Sequence, residues 1–519
     1  MTDSSVRTKK QTLDKDLDKL VHVEEATSLV ARRLVGPGLA LLFLALASIF
    51  ASFYVFGEPG AVVIVAAAAV GAYMALNIGA NDVANNVGPA VGARAMTLGL
   101  ALLIAAVFES AGALIAGGDV VDTISKGIIA PEAVGDPSIF VRAMFAALIS
   151  SALWVNLATW IGAPVSTTHA VVGGVTGAGI AAAGFSSVDW TMMAQIAVSW
   201  VVSPVVGGVV AAAFLAFVKT MIIYQDDKIS AARRWVPLLI AVMAGSFTAY
   251  LVTKGLRQVL PVSGFTAALL GLTAFAVAWA VSHVHVHHQS QGMENRNQSL
   301  RRLFNIPLVI SAALLSFAHG ANDVANAVGP LAAIVFTAQA ETVSTAVFIP
   351  HWVMIIGALG ISLGLLLFGP KLIRMVGEQI TKLNPMRAFC VALSAALTVI
   401  IASGLGLPIS STHTAVGAVF GVGFFREWYT ARSKRRRAYI ERKYARSKNG
   451  GAGKTAKRAQ PSGGEEDEEL AAGLSREEVT RRKLVRRAHV RTIVAAWVLT
   501  VPASAVLAAG IFFALHLLA

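Results

Sequence analysis

Two nearly identical stretches of eleven residues place an acid and two amides within long apolar runs of the chain. Residues 79–89 read GANDVANNVGP and residues 320–330 read GANDVANAVGP, so that they differ at one position. A carboxylate at membrane depth costs about 3 kcal/mol or more unless it is paired or solvated, which marks Asp82 and Asp323 as candidates for function. Two amides accompany each carboxylate, at Asn81, Asn85, Asn322 and Asn326. Hard oxygen ligands of this kind suit a proton or a small cation, and we predict a cation-coupling site here. The alternative is a buried aspartate that is tied to neighbouring amides and serves helix packing.

A second pair of motifs carries hydroxyl groups. Residues 162–169 read GAPVSTTH and residues 406–413 read GLPISSTH, and in each the hydroxyl run follows a Gly-x-Pro break and opens an apolar helical segment. Hydroxyls at such a position can simply cap the helix, while the positive end of the helix dipole faces whatever lies beyond. Two such helix ends facing each other would bind an oxyanion without any Arg or Lys. The predicted anion ligands are Ser166, Thr167, Thr168, Ser410, Ser411 and Thr412.

A third acid and several histidines are further candidates. Glu109 lies inside the apolar segment 96–117 and is interpreted either as a functional acid of the coupling site or as a hydrogen-bonded buried acid. His169 and His413 directly follow the hydroxyl runs, where helix packing or capping is at least as well supported as a proton relay. Four histidines at the end of one apolar segment resemble a metal tract, at His283, His285, His287 and His288. Because no cluster of cysteines or acids accompanies them, metal binding there is the less favoured interpretation.

The composition excludes a soluble globular protein. Of 519 residues, 56% are hydrophobic and 14% are charged, and the mean hydropathy is +0.67. The apolar residues fall in blocks of membrane-spanning length, about 20 residues. The net charge of +14 lies in loops between these blocks, which is typical of cytoplasmic loops in membrane proteins and argues against a nucleic-acid partner. The single cysteine, Cys390, lies in an apolar block, excludes an intrachain disulfide and is interpreted as a packing residue.

These blocks predict an all-α polytopic membrane protein. Spanning segments are predicted near 36–56, 61–80, 96–117, 191–222, 236–253, 264–283, 303–320, 346–368 and 491–517. Two further pairs, 139–160 with 164–184 and 388–404 with 407–425, are broken by the Gly-x-Pro turns and predict re-entrant, broken helical hairpins. Glycines in both copies of the first motif would allow the helix to open and free backbone carbonyls, at Gly79, Gly88, Gly320 and Gly329.

Both motifs recur in the same order, which indicates an internal duplication. The first motif recurs 241 residues further on (320 against 79) and the second 244 residues further on (406 against 162). With the N-terminus inside and each broken pair returning to its own side, the basic loops fall inside and the acidic segment 118–137 falls outside. This count predicts two inverted-topology repeats, a cytoplasmic N-terminus and a C-terminus outside the cell.

The topology predicts seven divisions of the chain. They are a polar cytoplasmic segment at 1–35, an additional transmembrane helix at 36–56, transport repeat 1 at 61–222, linking helices and cytoplasmic loops at 223–302, the first part of transport repeat 2 at 303–425, a charged cytoplasmic insert at 426–490, and the final helix of repeat 2 at 491–519. The insert is interpreted as a solvated loop held inside by its charge, and regulation or contact of its basic flanks with anionic lipid are the weaker alternatives.

The two motif pairs closely resemble the inorganic phosphate transporter (PiT) family, which is marked by duplicated GANDVAN segments and P-[VI]-S-[TS]-T-H turns. Further resemblance lies in Phe108 with Glu109, in 122–129, and in 369–373 leading to 380–385. The match runs from about 61 to 517 and is interrupted by the insert. The helix at 36–56 lies outside this shared core.

The resemblance implies phosphate uptake driven by a sodium or proton gradient, and a homodimer. By position, Asn81 and Asn322 would serve phosphate together with the hydroxyl runs, and Asp82 and Asp323 would serve the cation, with sodium as the metal. Asn85, Asn326 and Glu109 would complete the coupling site. Many relatives carry an acid where this chain has Ala392, which favours proton coupling or an altered stoichiometry. The family also includes sulfate permeases, and the motifs leave sulfate open.

The sequence therefore predicts a secondary active transporter of the cell (plasma or inner) membrane rather than an enzyme. We expect no resident cofactor, and as partners inorganic phosphate, free or as a metal–phosphate complex, and the lipid bilayer. A passive anion channel is a weaker alternative, because anion-binding half-helices can also line pores. An intramembrane hydrolase is weaker still, because a single catalytic centre does not require every candidate residue to be doubled.

Overall fold

Helices account for nearly all of the part of the chain that this computed structural model describes. The described residues are 34–129, 131–163, 165–256, 260–342, 349–379, 383–432 and 487–518. Their β structure consists of one isolated antiparallel bridge, between Ile129 and Val188. The prediction of an all-α protein is confirmed.

The helices are numbered in chain order. They are α1 (Leu34–Val55), α2 (Ala61–Gly92), α3 (Leu98–Ala116), α4 (Gly118–Lys126), α5 (Pro131–Val134), α6 (Pro137–Ile161), α7 (Thr167–Ala183), α8 (Trp190–Val218), α9 (Lys228–Lys254), α10 (Gly264–Gln289), α11 (Asn297–Leu303), α12 (Asn305–Asp323), α13 (Ala325–Ala340), α14 (His351–Gln379), α15 (Pro385–Gly404), α16 (Ser411–Arg432) and α17 (Arg487–Leu518). Eleven segments of the described chain are long and apolar enough to cross a membrane, and α12 with α13 forms one of them.

Several helices extend beyond the predicted apolar segments. The helix predicted at 61–80 continues to Gly92, the one predicted at 236–253 begins at Lys228, and the one predicted at 346–368 begins at His351 and continues to Gln379. Hydropathy marks only the apolar part of a helix, whereas polar turns at its ends remain helical when they are capped. At the start of α9, for example, the Ser230 backbone N–H and hydroxyl both donate to Asp227, which lowers the pKa of that carboxyl.

The segments on either side of the charged insert are also helical. Helix α16 ends at Arg432, inside the insert predicted at 426–490, and α17 begins at Arg487. The acidic segment 118–137, predicted as an outer loop, contains α4 and the short α5. The rest of the insert and residues 1–33 of the predicted N-terminal segment lie outside the described residues, as do Pro164 in the first Gly-x-Pro turn and part of the 346–368 segment.

The two broken pairs form helix–turn–helix units. In the first, α6 is followed by Gly162, which has a φ of +76°, and in the second the turn after α15 contains Gly406 with a φ of +70°. A left-handed residue at a helix end favours glycine and reverses the chain direction. Helix α7 then packs against α6 and α17, and α16 packs against α8 and α15. Each second arm thus begins inside the helical bundle.

Close contact between α2 and α14 positions the first copy of the first motif. Gly79 of α2 lies against the backbone carbonyl of Ile361, and Gly364 of α14 lies against the backbone of Leu76. A methyl group on either glycine would overlap the opposing backbone. Small residues at helix crossings are typical of packing within membranes, because they let backbones approach closely.

A matching crossing between α3 and α12 positions the second copy. Gly320 of α12 lies against the backbone of Glu109, and Gly112 of α3 lies against that of Phe317. Here too a methyl group on either glycine would overlap the opposing backbone.

The opening that the motif glycines would allow is not present in the first copy. Helix α2 is continuous from Ala61 to Gly92, because Gly79 serves close packing instead. In the second copy, α12 and α13 meet at Val324, whose backbone has φ −56° and ψ −33° and remains in the right-handed helical region. The interruption is therefore one residue long and does not unwind the segment.

Two large clusters of buried apolar residues surround these crossings. Cys390 and Ala392 on α15 are both fully buried in the second cluster. The interpretation of Cys390 as a packing residue is confirmed.

Candidate functional site

The first hydroxyl of each run caps its helix. Ser166 Oγ accepts a hydrogen bond from the His169 backbone N–H at 3.1 Å, and Ser410 Oγ accepts one from the His413 backbone N–H at 3.2 Å. Each bond satisfies a backbone donor that the first turn of a helix leaves free. These two serines therefore cap their helices in this structure.

The following hydroxyls donate to the two motif carboxylates. Thr167 Oγ1 donates to Asp82 Oδ2 at 3.0 Å, and Thr412 Oγ1 donates to Asp82 Oδ1 at 2.9 Å. Ser411 Oγ donates to Asp323 Oδ2 at 2.8 Å. All five residues are buried. The carboxylates thus lie at the N-termini of α7 and α16, where the helix dipole favours negative charge.

The motif amides join the two halves of the site. Asn85 Nδ2 donates to Thr412 Oγ1 at 2.9 Å, and Asn326 Nδ2 donates to Thr168 Oγ1 at 3.2 Å. Each amide therefore binds a hydroxyl of the hairpin in the other half of the chain. Thr168 Oγ1 in turn donates to the Ile409 carbonyl at 2.9 Å, so the start of α7 directly contacts the turn before α16.

Asn81 and Asn322 contact the ends of the first hairpin arms instead. The Asn81 amide forms a 2.9 Å hydrogen bond with Thr159 Oγ1, and Asn322 Nδ2 donates to Ser403 Oγ at 3.0 Å and to the Leu407 carbonyl at 3.1 Å. The structure therefore places these two amides beside the turns that hold the hydroxyl runs.

Sequence reasoning missed His319, which lies at the centre of the site. Its Nδ1 lies 3.1 Å from Glu109 Oε2, and its Nε2 lies 2.8 Å from Asp323 Oδ2 and 3.6 Å from Asp82 Oδ2. The ring is fully buried. A comparison of the residues that flank the duplicated motif would have drawn attention to it, because His319 precedes the second copy where Ile78 precedes the first.

Asn86 was also missed, although it is the one position at which the two motif copies differ. Its Nδ2 donates to Glu109 Oε1 at 2.7 Å, and the second copy has Ala327 in its place. One oxygen of Glu109 thus accepts a hydrogen bond from Asn86, and the other lies 3.1 Å from His319 Nδ1. This position is compatible with both interpretations of Glu109, namely a hydrogen-bonded buried acid and a functional acid of the coupling site.

Several oxygens at the second motif copy are available to a cation. Among the described residues, Asn322 Oδ1, Asp323 Oδ1 and Asn326 Oδ1 are buried and have no hydrogen-bond partner, and the same is true of Asn86 Oδ1 in the first copy and of Glu109 Oε2. Three titratable side chains of the described chain have ligand atoms within 4.8 Å of one another, which is close enough to hold one metal ion. They are Asp82, His319 and Asp323. Oxygen acceptors with no donor nearby are suited to a small cation.

The other histidines lie away from the carboxylates. His169 and His413 stack edge to face, with ring centroids 4.4 Å apart, and the His169 ring lies 3.8 Å from that of Trp200. His283 and His287 stack on α10 with centroids 6.5 Å apart, and none of the four histidines of the predicted metal tract belongs to a metal-type group within the described chain.

An ion pair lies at the tip of the second hairpin. Lys254 Nζ donates both to Asp119 Oδ2 at 2.5 Å and to the Gly404 carbonyl at 3.0 Å. Thr123 Oγ1 donates to the Gly406 carbonyl at 2.7 Å. The turn before α16 is therefore attached to α4 and to the end of α9, and we call this set of contacts the tip latch.

Proteins similar to this chain in sequence and fold are named for phosphate transport. Residues 78–508 match the model of the phosphate transporter family. A protein of Helicobacter pylori strain J99, provisionally named a phosphate permease, is 44% identical over 96% of this chain and 98% of its own length. A similarly named protein of Pyrococcus abyssi is 38% identical over 69% of this chain and 87% of its own. A solved structure of a sodium-dependent phosphate transporter superimposes with a TM-score of 0.73 at 33% identity, covering 88% of this chain and all of that one.

Proposed function

The chain belongs to the phosphate transporter family, and from that membership we propose that it imports inorganic phosphate together with a coupling cation. It is a multi-pass membrane transporter and not an enzyme. The family and the relatives described above are named for phosphate, and none of them is named for sulfate. Phosphate is therefore the proposed substrate.

One observation carries this proposal most directly, namely that hydroxyls at two helix N-termini donate to two buried carboxylates. Thr167, Ser411 and Thr412 supply these hydrogen bonds at 2.8–3.0 Å. Donors that bind carboxylate oxygens at a helix N-terminus can equally bind phosphate oxygens. The site thus offers an oxyanion both oriented donors and the positive ends of two helix dipoles.

Because Asp82 and Asp323 occupy these donors, phosphate must compete with them. Phosphate binding would leave both carboxylates without their hydroxyl partners and close to another anion. A cation bound by the carboxylates offsets this repulsion, so the binding of one substrate favours the binding of the other. The adjacency of the two carboxylates and the hydroxyls therefore supports coupled binding.

A cation is also required by the membrane potential. An inside-negative potential opposes anion entry by about 2.3 kcal/mol per charge per 100 mV. Concentrative uptake therefore needs co-transported positive charge that at least matches the charge on phosphate. Asp323 with Asn322 and Asn326 would hold the cation, because each has a buried oxygen without a partner among the described residues.

We propose sodium as this cation. An amide oxygen can bind a metal ion but is not protonated at physiological pH, and two of the three unpartnered oxygens at the second motif copy belong to amides. The solved structural neighbour is itself named as sodium-dependent. Ala392, which replaces an acid of many relatives, is an argument for proton coupling or a changed stoichiometry, so the assay must impose the two gradients separately.

The remaining parts of the proposal concern location and assembly. We place the transporter in the cell membrane with the N-terminus inside and the C-terminus outside, on the basis of loop charge. Two inverted repeats, divided at the boundaries given above, would alternate access to the central site, and two copies of the chain would form a homodimer.

Proteoliposomes containing the purified full chain provide the test. We expect labelled phosphate to accumulate when an inward sodium gradient is imposed, and sulfate in excess not to compete. Uptake driven by a proton gradient alone would assign coupling to protons. Uptake that only runs downhill, with neither gradient needed, would identify a channel. Adding and chelating divalent metal ions determines whether free phosphate or a metal complex is carried.

The substitutions Asp82→Asn and Asp323→Asn test the site itself. We expect each folded variant to lose concentrative phosphate uptake, because the amide cannot offset a bound cation. Far-UV circular dichroism and the melting temperature of the purified protein confirm folding. Unchanged sodium-driven uptake in both variants would contradict the proposed role of the two carboxylates.

The geometry also argues against the hydrolase alternative. A serine nucleophile must donate to a general base such as histidine. Here Ser411 donates to Asp323, and Ser166 and Ser410 accept hydrogen bonds from the backbone. The central histidine, His319, contacts carboxylates instead.

A further inference from the structure

The two matching helix crossings allow residues of the two halves to be paired by position. Gly79 and Gly320 occupy the same place in the duplicated motif, and they lie against Ile361 and Glu109 respectively. Ile361 and Glu109 are therefore counterparts. The next residues along their helices are Ser362 and Ser110, whose hydroxyl oxygens lie 2.5 Å apart. Ser110 and Ser362 are thus counterparts that contact each other, as expected if an approximate two-fold axis relates the two crossings.

The two crossings nevertheless differ in chemistry. At the crossing of α2 with α14, the positions are occupied by Ile78 and Ile361, both fully buried. At the crossing of α3 with α12, the counterparts are His319 and Glu109, also fully buried, and their side chains lie 3.1 Å apart. Two isoleucines are compatible with the same close packing, so the polar pair is not required by the crossing itself.

The polar pair reaches the carboxylates unequally. His319 Nε2 lies 2.8 Å from Asp323 Oδ2 but 3.6 Å from Asp82 Oδ2. Ser411 binds the same Oδ2 of Asp323, which leaves its Oδ1 without a partner among the described residues. Both oxygens of Asp82, in contrast, accept hydroxyl hydrogen bonds, from Thr167 and Thr412. The duplicated aspartates therefore have different environments although their sequence motifs match.

We propose that His319, itself held by Glu109, is a positioning residue that fixes the Asp323 carboxylate and so gives the two duplicated aspartates different roles in transport. Through this arrangement Oδ1 of Asp323 faces the site as a cation ligand, while Asp82 is held mainly by the hydroxyls that phosphate must take over. This inference rests on the proposed function, because it assigns the cation to the Asp323 side.

The experiment makes the second crossing resemble the first. The double variant Glu109→Ile/His319→Ile carries the residue pair that the α2–α14 crossing already accommodates, and His319→Gln retains a single side-chain amide as N–H donor. Ile78→Leu, at the matched position, is the control. Sodium-driven phosphate uptake into proteoliposomes is measured over a range of sodium and of phosphate concentrations, together with the melting temperature of each purified full chain.

We expect the half-saturating sodium concentration to rise about tenfold or more in the double variant, the usual effect of removing a partner that orients a metal ligand. The phosphate KM at saturating sodium should change less than about twofold, a split that general loss of structure does not produce. His319→Gln should lie between the double variant and the wild type, and Ile78→Leu should match the wild type.

Three results separate the possible failures. Wild-type uptake that ignores sodium would contradict the proposed function before any variant is compared. Sodium-dependent wild-type uptake with an unchanged sodium half-saturation in the double variant, or in His319→Gln if the double variant does not fold, would overturn the positioning role alone. Parallel loss of melting temperature, sodium affinity and phosphate affinity would also overturn it, by assigning the pair to stability.

Discussion

The three hydroxyls of each run have three different partners. The first caps its helix, the second donates to the carboxylate of its own half, and the third reaches across to the other half, as Thr168 and Thr412 do. Sequence reasoning grouped all of them as anion ligands, because hydroxyl spacing alone does not indicate which partner each will find. It identified both carboxylates and the hydroxyls that meet them, because each is part of a duplicated motif.

Residues that differ between the two halves were harder to find. His319 and Asn86 break the match between the two halves, so a search for repeated positions passes over them, yet both contact Glu109. Glu109 itself was found because an acid within an apolar segment is unusual whatever its partners. Contacts that depend on how α3 meets α12 could not be derived from either helix alone.

The Thr167 hydroxyl provides a prediction at the scale of one atom. We expect Thr167→Ala to raise the phosphate KM about tenfold, because a hydrogen bond to a charged partner contributes about 1.5–3 kcal/mol. Thr167→Ser keeps the hydroxyl and should retain a KM close to that of the wild type. Uptake of labelled phosphate at saturating sodium measures both.

Thr176 offers a matched control on the same helix. Its hydroxyl donates to the Val172 carbonyl, one turn earlier in α7, and does not contact a carboxylate. Thr176→Ala should therefore leave the phosphate KM unchanged. Equal KM values for Thr167→Ala and Thr176→Ala would contradict a direct role of the Thr167 hydroxyl.

At the scale of elements, the hairpins hold the site while the long helices cross behind it. Hydropathy located the hairpins, because the Gly-x-Pro turns interrupt apolar runs, and it located most of the other helices of the described chain. It did not locate α4, α5, α11 or α13. It did not predict that α2 stays continuous or that α14 extends to Gln379. At Gly79, α2 meets the backbone of α14, and that contact joins helices that lie far apart in sequence.

The tip latch provides a prediction at this scale. Lys254 and Asp119 are partly exposed, with 30% and 48% of their side-chain surfaces accessible, so the pair contributes at most about 1 kcal/mol to stability. We expect Lys254→Met to leave the melting temperature nearly unchanged but to raise the phosphate KM by up to about fivefold, because the turn before α16 loses an attachment.

A charge exchange is the control for the latch. Lys254→Asp combined with Asp119→Lys restores the ion pair in the opposite orientation and should recover part of the KM change that either single substitution causes. Additive effects of the two substitutions, measured in the same uptake assay, would show that the pair does not act as a unit.

At the scale of the whole molecule, the composition and the duplication predicted most of what the structure contains. A mean hydropathy of +0.67 and blocks of spanning length led to a polytopic helical protein, and eleven candidate spans are present in the described chain. The order of the two motif pairs led to the family, which the 44% identity over 96% of the chain supports. Which helices touch at the centre was not accessible, because small residues are abundant throughout the chain and most of them mark no crossing.

The four crossing glycines provide a prediction at this scale, because they join the two halves of the molecule. We expect Gly79→Ala and Gly320→Ala each to lower stability by about 1–3 kcal/mol or to prevent folding, since a methyl group would overlap the opposing backbone. Gly99→Ala is the control, because nothing lies within 4 Å of its added methyl group. Thermal unfolding of the purified variants measures the difference, and equal stability of all three would contradict the packing described.

The same glycine contacts restrict how the protein can move during a transport cycle. Where two backbones touch with no side chain between them, one helix cannot slide along the other by a residue without first separating from it. Pivoting about the contact point requires no such separation. We therefore expect rotation about these crossings, rather than sliding of one helix along the other, during the transport cycle.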